Sequence, residues 1–223
     1  MRINERKYEL EFLLSENEIT SVTIENQTAF RDIVYSIWNG SAGLDTTVVL
    51  SEGEKELKLE KTMDCILNPF SLDLGSRKVL NKLYADLACI LNEDMQEETL
   101  DIKARLLRYV DLLETKSDYP LTSDIDFNIE EILKMYHVRL SVCRDTLLEN
   151  LMDYMRITKQ ILDTEMFVFV NLKDFLSVEE IEYLYDFCFY EKIYLLLLNG
   201  HQSYFGAHEK NWIYDKDMCL IEI

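Results

Sequence analysis

Glycine and proline are scarce, at six and two in 223 residues. That scarcity excludes long flexible linkers and predicts few long loops. The glycines, Gly40, Gly43, Gly53, Gly75, Gly200 and Gly206, never form GxxxxGK[ST], and no GxGxxG occurs. The chain therefore lacks the loop whose backbone amides wrap a nucleotide's phosphates, which disfavours nucleotide hydrolysis. Histidine is equally rare: His137, His201 and His208 lie in no nucleophile–base motif, and there is no GxSxG. No run of about 18 apolar residues exists, and the charged start MRINERKYEL does not read as a signal peptide. These absences predict a cytoplasmic protein without a membrane partner. The five cysteines, Cys65, Cys89, Cys143, Cys188 and Cys219, have no CxxC spacing, which argues against disulfides and zinc and predicts core thiols. Positive charge is also short, 23 basic against 42 acidic residues for a formal net charge of −19. Such a chain repels nucleic acid at long range, so DNA binding requires a local basic surface, concentrated by oligomerisation and sensitive to salt.

What is present reads as α/β. In MFVFVNLKDFLSVEEIEYLYDFCFYEKIYLLLLNG, residues 166–200, Met166–Val170 and Ile193–Leu198 are apolar enough for interior strands. Between them Ser177 and Glu180 form a capping box for a helix with Val178, Ile181, Leu184, Tyr185 and Cys188 on one face. This is a βαβ unit. The acidic residue that often ends the first strand of such units in nucleoside triphosphatases is replaced by Asn171, and Asp174 lies too far into the turn.

Toward the N-terminus, residues 6–24 alternate as a hairpin turned by SENE. Asn26 and Thr28 can cap a helix through Phe30, Ile33, Val34 and Ile37 that NGSAG closes, and Thr46–Leu50 reads as a strand. From about residue 62 the period turns helical, with stripes over Ser76–Leu91 and Glu98–Leu113. Asp126 can cap a helix from Phe127 to Tyr136, and His137–Val142 reads as a short strand. Asp145 can cap a helix over Thr146–Leu162. His201–Phe205, Asn211–Asp215 and Met218–Ile223 read as terminal strands. The expected architecture is an α/β head built from residues 1–61 and 138–223, with an α-helical leg inserted at 62–137.

Two clusters carry chemistry. Asp118, Asp124, Asp126, Glu130 and Glu131 could surround one hard cation, and calcium accepts such irregular oxygen shells. The competing reading is that these acids cap the helix at 127–136 and favour the positive end of its dipole. Lys55, Lys58 and Lys61 in EKELKLEK, with Lys134 and Arg139, are the basic candidates, although interleaved glutamates also suit an ordinary salt-bridged surface.

The run from DIDFNIEEILKMYHVRLSVCRDTLLEN through MFVFVN and LSVEEIEYLYDF to YLLLLNG resembles the C-terminal half of the Csn-two family, CRISPR-associated proteins of type II-A loci. ILNPFSLDLGSRKVLNKLYADL, residues 66–87, carries the resemblance further, through Asp73, Leu80 and Ala85-Asp86-Leu87. The resemblance implies a triphosphatase-like head without a working phosphate loop, and a helical leg. It implies a ring-shaped homotetramer that threads double-stranded DNA, binds its ends and is stabilised by calcium. Its role would be spacer acquisition beside the CRISPR integrase and the effector nuclease. Carried onto this sequence, the DNA-facing positions are Lys134 and Arg139, more loosely Lys55, Lys58 and Lys61. The calcium positions fall in 118–131, led by Asp118, Asp124 and Asp126, although Leu121 and Ser123 stand where relatives often carry acids. The alternative is an enzyme, a metal-dependent nuclease or divergent nucleotide hydrolase using the carboxylates of 118–131. An adaptor that contacts only proteins is a third reading.

Overall fold

The computed structural model describes residues 1–123, 127–141 and 145–223. The chain divides into two compact units, one of Met1–Asp73 with Val142–Ile223 and the other of Leu74–Ser141. In chain order the first unit supplies β1 (Arg2–Glu5), β2 (Leu10–Leu13), β3 (Ile19–Ile24), α1 (Gln27–Ser41), β4 (Val48–Glu52), β5 (Lys55–Leu57), α2 (Leu59–Thr62) and β6 (Met63–Ile66). The second unit consists of α3 (Arg77–Glu93), α4 (Gln96–Lys116) and α5 (Ile129–Met135). The chain then returns to the first unit with α6 (Leu147–Leu162), β7 (Met166–Val170), α7 (Val178–Glu191), β8 (Tyr194–Asn199), β9 (Glu209–Tyr214) and β10 (Leu220–Glu222).

A six-stranded sheet of order β10-β9-β3-β8-β7-β6 forms the centre of the first unit. All its pairings are parallel except β9 with β10. Interior parallel strands are covered on both faces, which is why β7 and β8 read as unbroken apolar runs. Successive residues point to opposite faces. Met166 and Val168 join one core with Val22, Leu196 and the α1 residues Ile33 and Ile37. Phe167 and Phe169 join the other with Leu195, Leu197, Leu151 and Met155 of α6, and Ile181 and Leu184 of α7. The antiparallel sheet β2-β1-β4-β5 adds Ile3, Phe12 and Leu50 to the α1 side.

Local chemistry sets the helix ends. Asn26 Oδ1 accepts the Thr28 and Ala29 amides at 3.1 Å each. Ser177 Oγ accepts the Glu180 amide at 3.3 Å while the Glu180 carboxylate accepts the Ser177 amide at 2.8 Å, completing the expected capping box. Helix α6 is capped by Thr146, whose Oγ1 accepts the Glu149 amide, one residue beyond the expected Asp145.

Several expectations need correction. The alternation over 6–24 is real, but β2 pairs antiparallel with β1 while β3 lies in the large sheet between β8 and β9. Alternation reports a buried face and cannot name the partner strand. Residues 63–66, expected to begin a helical region, form the edge strand β6 beside β7. Neither His201–Phe205 nor the described part of 137–142 is a strand. NGSAG does close α1, but only after the helix has run through Gly40 to Ser41; a Cβ on Gly40 would meet Leu59 Cδ1 at 2.8 Å, so glycine allows α2 to pack closely. The turn-former is Gly43, at φ +71°.

In the second unit, α3 packs against α4 and α5 and buries only Val79 and Tyr84. The Tyr84 hydroxyl donates to the Val138 carbonyl at 2.9 Å. Helix α4 buries no residue and leaves Leu100, Leu106, Tyr109 and Leu113 exposed.

Phe167 is fully buried in an interior strand, so Phe167→Ala is expected to cost about 3–5 kcal/mol. Urea unfolding should show it as a lowered midpoint, and a loss below about 1 kcal/mol would contradict the packing described.

Candidate functional site

Open parallel sheets place ligands beyond the carboxyl ends of their strands. Here those ends are Ile24, Val170 and Asn199. Only Glu25 and Asn26 separate β3 from α1, and the amides of Thr28 and Ala29, donors that an anion would use at a helix start, are taken by Asn26. Gln202 Nε2 donates to Glu25 at 3.0 Å. The Phe30 ring lies where a Cβ on Gly200 would approach it to 3.3 Å. Asn171, left-handed at φ +52°, accepts the Gly200 amide on its side chain at 2.8 Å and donates its own amide to the Leu198 carbonyl at 2.8 Å. Asp174 faces His201 Nε2 at 3.0 Å, both well exposed. The chain's own side chains thus hold much of this edge.

Beside it lies a buried ion pair that the sequence reading missed. Lys173 Nζ stands 2.7 Å from Glu209 Oε2, with side chains 2% and 0% exposed. Lys173 also donates to the Tyr204 carbonyl at 2.9 Å and lies 4.9 Å from that ring's centroid. Tyr185 donates its hydroxyl to the other Glu209 oxygen. Gly206 admits this group: a Cβ there would come within 2.8 Å of Glu209 Oε1 and 3.0 Å of Tyr185 Cε2. Burial, then the Glu209 charge, pushes the Tyr185 phenol far up and the Tyr204 phenol to about 12. Charges removed from water this completely must be paired and hydrogen-bonded, and these tie the start of β9 to the turn after β7. The only sequence signal was a lysine inside the apolar stretch FVFVNLKDFLS.

Among the described residues, none of the basic and metal candidates singled out from the sequence takes part in this network. Lys55 is in β5, Lys58 at the N-cap of α2 and Lys61 in its last turn, all exposed. Among the described residues none of the three forms an ion pair, so the interleaved glutamates do not neutralise them by contact. In the second unit, Lys134 lies 3.5 Å from Glu130, one turn earlier in α5, and 5.9 Å from the Tyr84 ring centroid. Arg139 is exposed and without an ion pair among the described residues. Glu130 is committed locally, and its amide is capped by Asn128 at 2.9 Å. Asn128 makes the cap expected of Asp126. Asp118 is exposed in the segment after α4, while Asp124 and Asp126 lie outside the described residues. Among the described residues no three of His, Cys, Asp or Glu gather into a metal-holding group. Of the expected core thiols, Cys65 and Cys188 are buried, Cys89 and Cys219 are exposed, and Cys143 lies outside the described residues. Burial and the adjacent Asp64 charge push the Cys65 thiol up to about 12.

A family model described as "CRISPR-associated protein (Cas_Csn2)" matches residues 42–218. The fold is similar to the crystal structure of Stu0660 of Streptococcus thermophilus, with a TM-score of 0.66 and 13% identity over 96% of this chain and 75% of that one. At that identity the likeness is one of fold. No curated protein matches the chain in sequence.

Glu209→Gln leaves the Lys173 charge buried without its partner and is expected to cost about 3–5 kcal/mol in urea unfolding. The native fold retains the Tyr185 and Tyr204 protons after an unfolded tyrosine has lost its own near pH 10, so stability should fall as pH rises from about 10. Tyr185→Phe should flatten that fall, and an unchanged slope would contradict the network. With native protein at pH 8, iodoacetamide and mass mapping should find Cys89 and Cys219 alkylated and Cys65 and Cys188 protected.

Proposed function

Because the chain belongs to the CRISPR-associated Csn2 family, whose model spans residues 42–218, we propose that it binds double-stranded DNA ends without sequence preference during spacer acquisition. That family match carries the reading. In it the chain works as a ring-shaped homotetramer and performs no chemistry on the DNA. Its partners beyond DNA are the CRISPR integrase and the effector nuclease.

Three observations support this reading. First, a chain of net charge −19 needs its cations unneutralised and pooled, and Lys55, Lys58, Lys61 and Arg139 are exposed and without ion pairs among the described residues. A fourfold assembly would present each of them four times. Second, α4 exposes Leu100, Leu106, Tyr109 and Leu113 in the isolated chain, apolar area of the kind that subunit contacts cover. Third, the two-residue link between β3 and α1, with Asn26 holding the first amides, suits a parallel sheet kept as scaffold after nucleotide chemistry has gone. Lys134, half spent on Glu130, is the weaker DNA contact. Calcium would draw on Asp118, Asp124, Asp126 and Glu130, and would steady the assembly.

Phosphate contacts position a protein without reading bases, so affinity should be alike across sequences and fall steeply with salt. In gel-shift assays at low salt with calcium, linear duplex should bind and a closed circle of the same sequence should not. Each phosphate contact removed by Lys58→Glu or Lys61→Glu should reduce the log–log salt slope by about 0.9. Equal binding of circle and linear duplex, or slopes unmoved by both changes, would contradict the reading.

A further inference from the structure

The loops that follow β6 and β7 raise aromatic side chains into solvent. Phe70 and Phe175 meet edge to face, 5.3 Å between ring centroids, yet Phe70 is 67% and Phe175 45% exposed. Leu67 on the first loop and Val178 at the start of α7 are exposed as well. Both turns are fixed by hydrogen bonds. Asn68 Oδ1 accepts the Phe70 amide at 3.0 Å and Asn68 Nδ2 donates to Ser71 Oγ at 2.8 Å, while Leu72 anchors the loop in the core beneath α6 and α7. The Phe175 amide donates to the Leu172 carbonyl at 3.0 Å, just before the Ser177 capping box. Apolar area held out of the core in a fixed arrangement is the kind that a partner covers, at little cost in ordering.

Beyond Val178 the outer face of α7 carries charge of one sign. Glu179 and Asp186 are exposed, half-buried Glu182 lies between them, and the exposed rings of Tyr183 and Tyr190 share the same face. Among the described residues none of these three acids forms an ion pair. Cations that pack beside the helix are committed elsewhere: Arg156 to Asp153 and Glu191, Lys159 to the carbonyls of Glu191 and Lys192, and Lys173 to Glu209. Lys192 lies past the last turn, at the end away from the aromatic pair. Glu179 gains from the helix dipole in the first turn. Glu182 and Asp186, one turn apart with like charge, instead cost the helix stability, which a cation from outside would offset.

We infer that these two features form one docking surface for a protein segment whose apolar side chains stand beside Lys or Arg, the pattern of a basic amphipathic helix. Its apolar residues cover Phe70, Phe175 and Val178, and its cations meet Glu182, Asp186 and the faces of Tyr183 and Tyr190. Charge selects this occupant. DNA and anionic membranes are repelled by the acidic row, and a second copy related by a twofold axis would set those acids against themselves. The inference goes beyond DNA-end binding and uses none of the residues assigned to it.

Fluorescence anisotropy on the full chain with labelled designed peptides tests it. The probes are an amphipathic helix of leucine and lysine, the same helix with glutamate for lysine, and the same with serine for leucine. The leucine-lysine helix should bind, and the serine-lysine peptide about tenfold more weakly, because it leaves the aromatic pair uncovered. Phe70→Ala, at an exposed position that leaves the core intact, should weaken the leucine-lysine helix about tenfold. Asp186→Lys should also weaken it and let the leucine-glutamate helix bind. Asp111→Lys, an equal charge change on exposed α4, should leave both peptides as in wild type, with circular dichroism confirming the fold of each variant. Equal binding of the serine-lysine and leucine-lysine peptides, or an Asp111→Lys effect as large as that of Asp186→Lys, would mean that net charge alone attracts them, and overturns the site. So would no binding of any peptide, or wild-type affinity in folded Phe70→Ala. A change in the chain's own oligomeric state on Asp186→Lys, read by light scattering, would make a second copy the occupant and overturn it too.

Discussion

The interior strands of the six-stranded sheet must be covered on both faces, and most features of the first unit answer to that requirement. Helices α6 and α7 cover one face through Leu151, Met155, Ile181 and Leu184. Helix α1, aided by the small antiparallel sheet, covers the other through Ile33, Ile37 and Leu50. Two polar groups that enter the interior beside the sheet do so in partnership. Asn199 donates to Ser21 Oγ at 3.3 Å between adjacent strands, and Lys173 is matched by Glu209 with two tyrosines beside them. The ion pair lends the fold less net stability than its Coulomb attraction suggests, because both charges were taken from water. It fixes which segment closes over the β7 turn.

What could be read in the sequence was whatever one element states about itself. The βαβ unit declared itself through two apolar runs and a Ser177–Glu180 capping box, and both arrived as expected. What depended on distant residues was hidden. Strand β6, only four residues long and carrying Asp64, shows its nature through its neighbour β7. The hairpin read over 6–24 failed because β3 finds its partners in β8 and β9, about 180 residues on in the register Thr20 with Leu196 and Lys210 with the same Thr20. Lys173 and Glu209 could not be matched across 36 residues. The basic candidates were visible as residues, but the freedom of Lys55, Lys58 and Lys61 from ion pairs among the described residues was not, since EKELKLEK reads as self-neutralising.

An anionic chain that grips DNA must do so with few cations, and those few must stay uncommitted and be multiplied by assembly. The strand-end edge, where many α/β proteins bind nucleotides, is here tied together by Asn26, Asn171 and Gln202. The proposed DNA binding would favour enclosure, because topology can hold DNA that a weakly basic surface could not.

Enclosure can be measured directly by loading the protein on linear duplex, capping both DNA ends with a bulky bound protein, and then raising the salt. The account predicts that the protein stays on capped duplex and leaves uncapped duplex, because screening releases the phosphate contacts while a closed ring remains threaded. Departure from both at the same rate would contradict it.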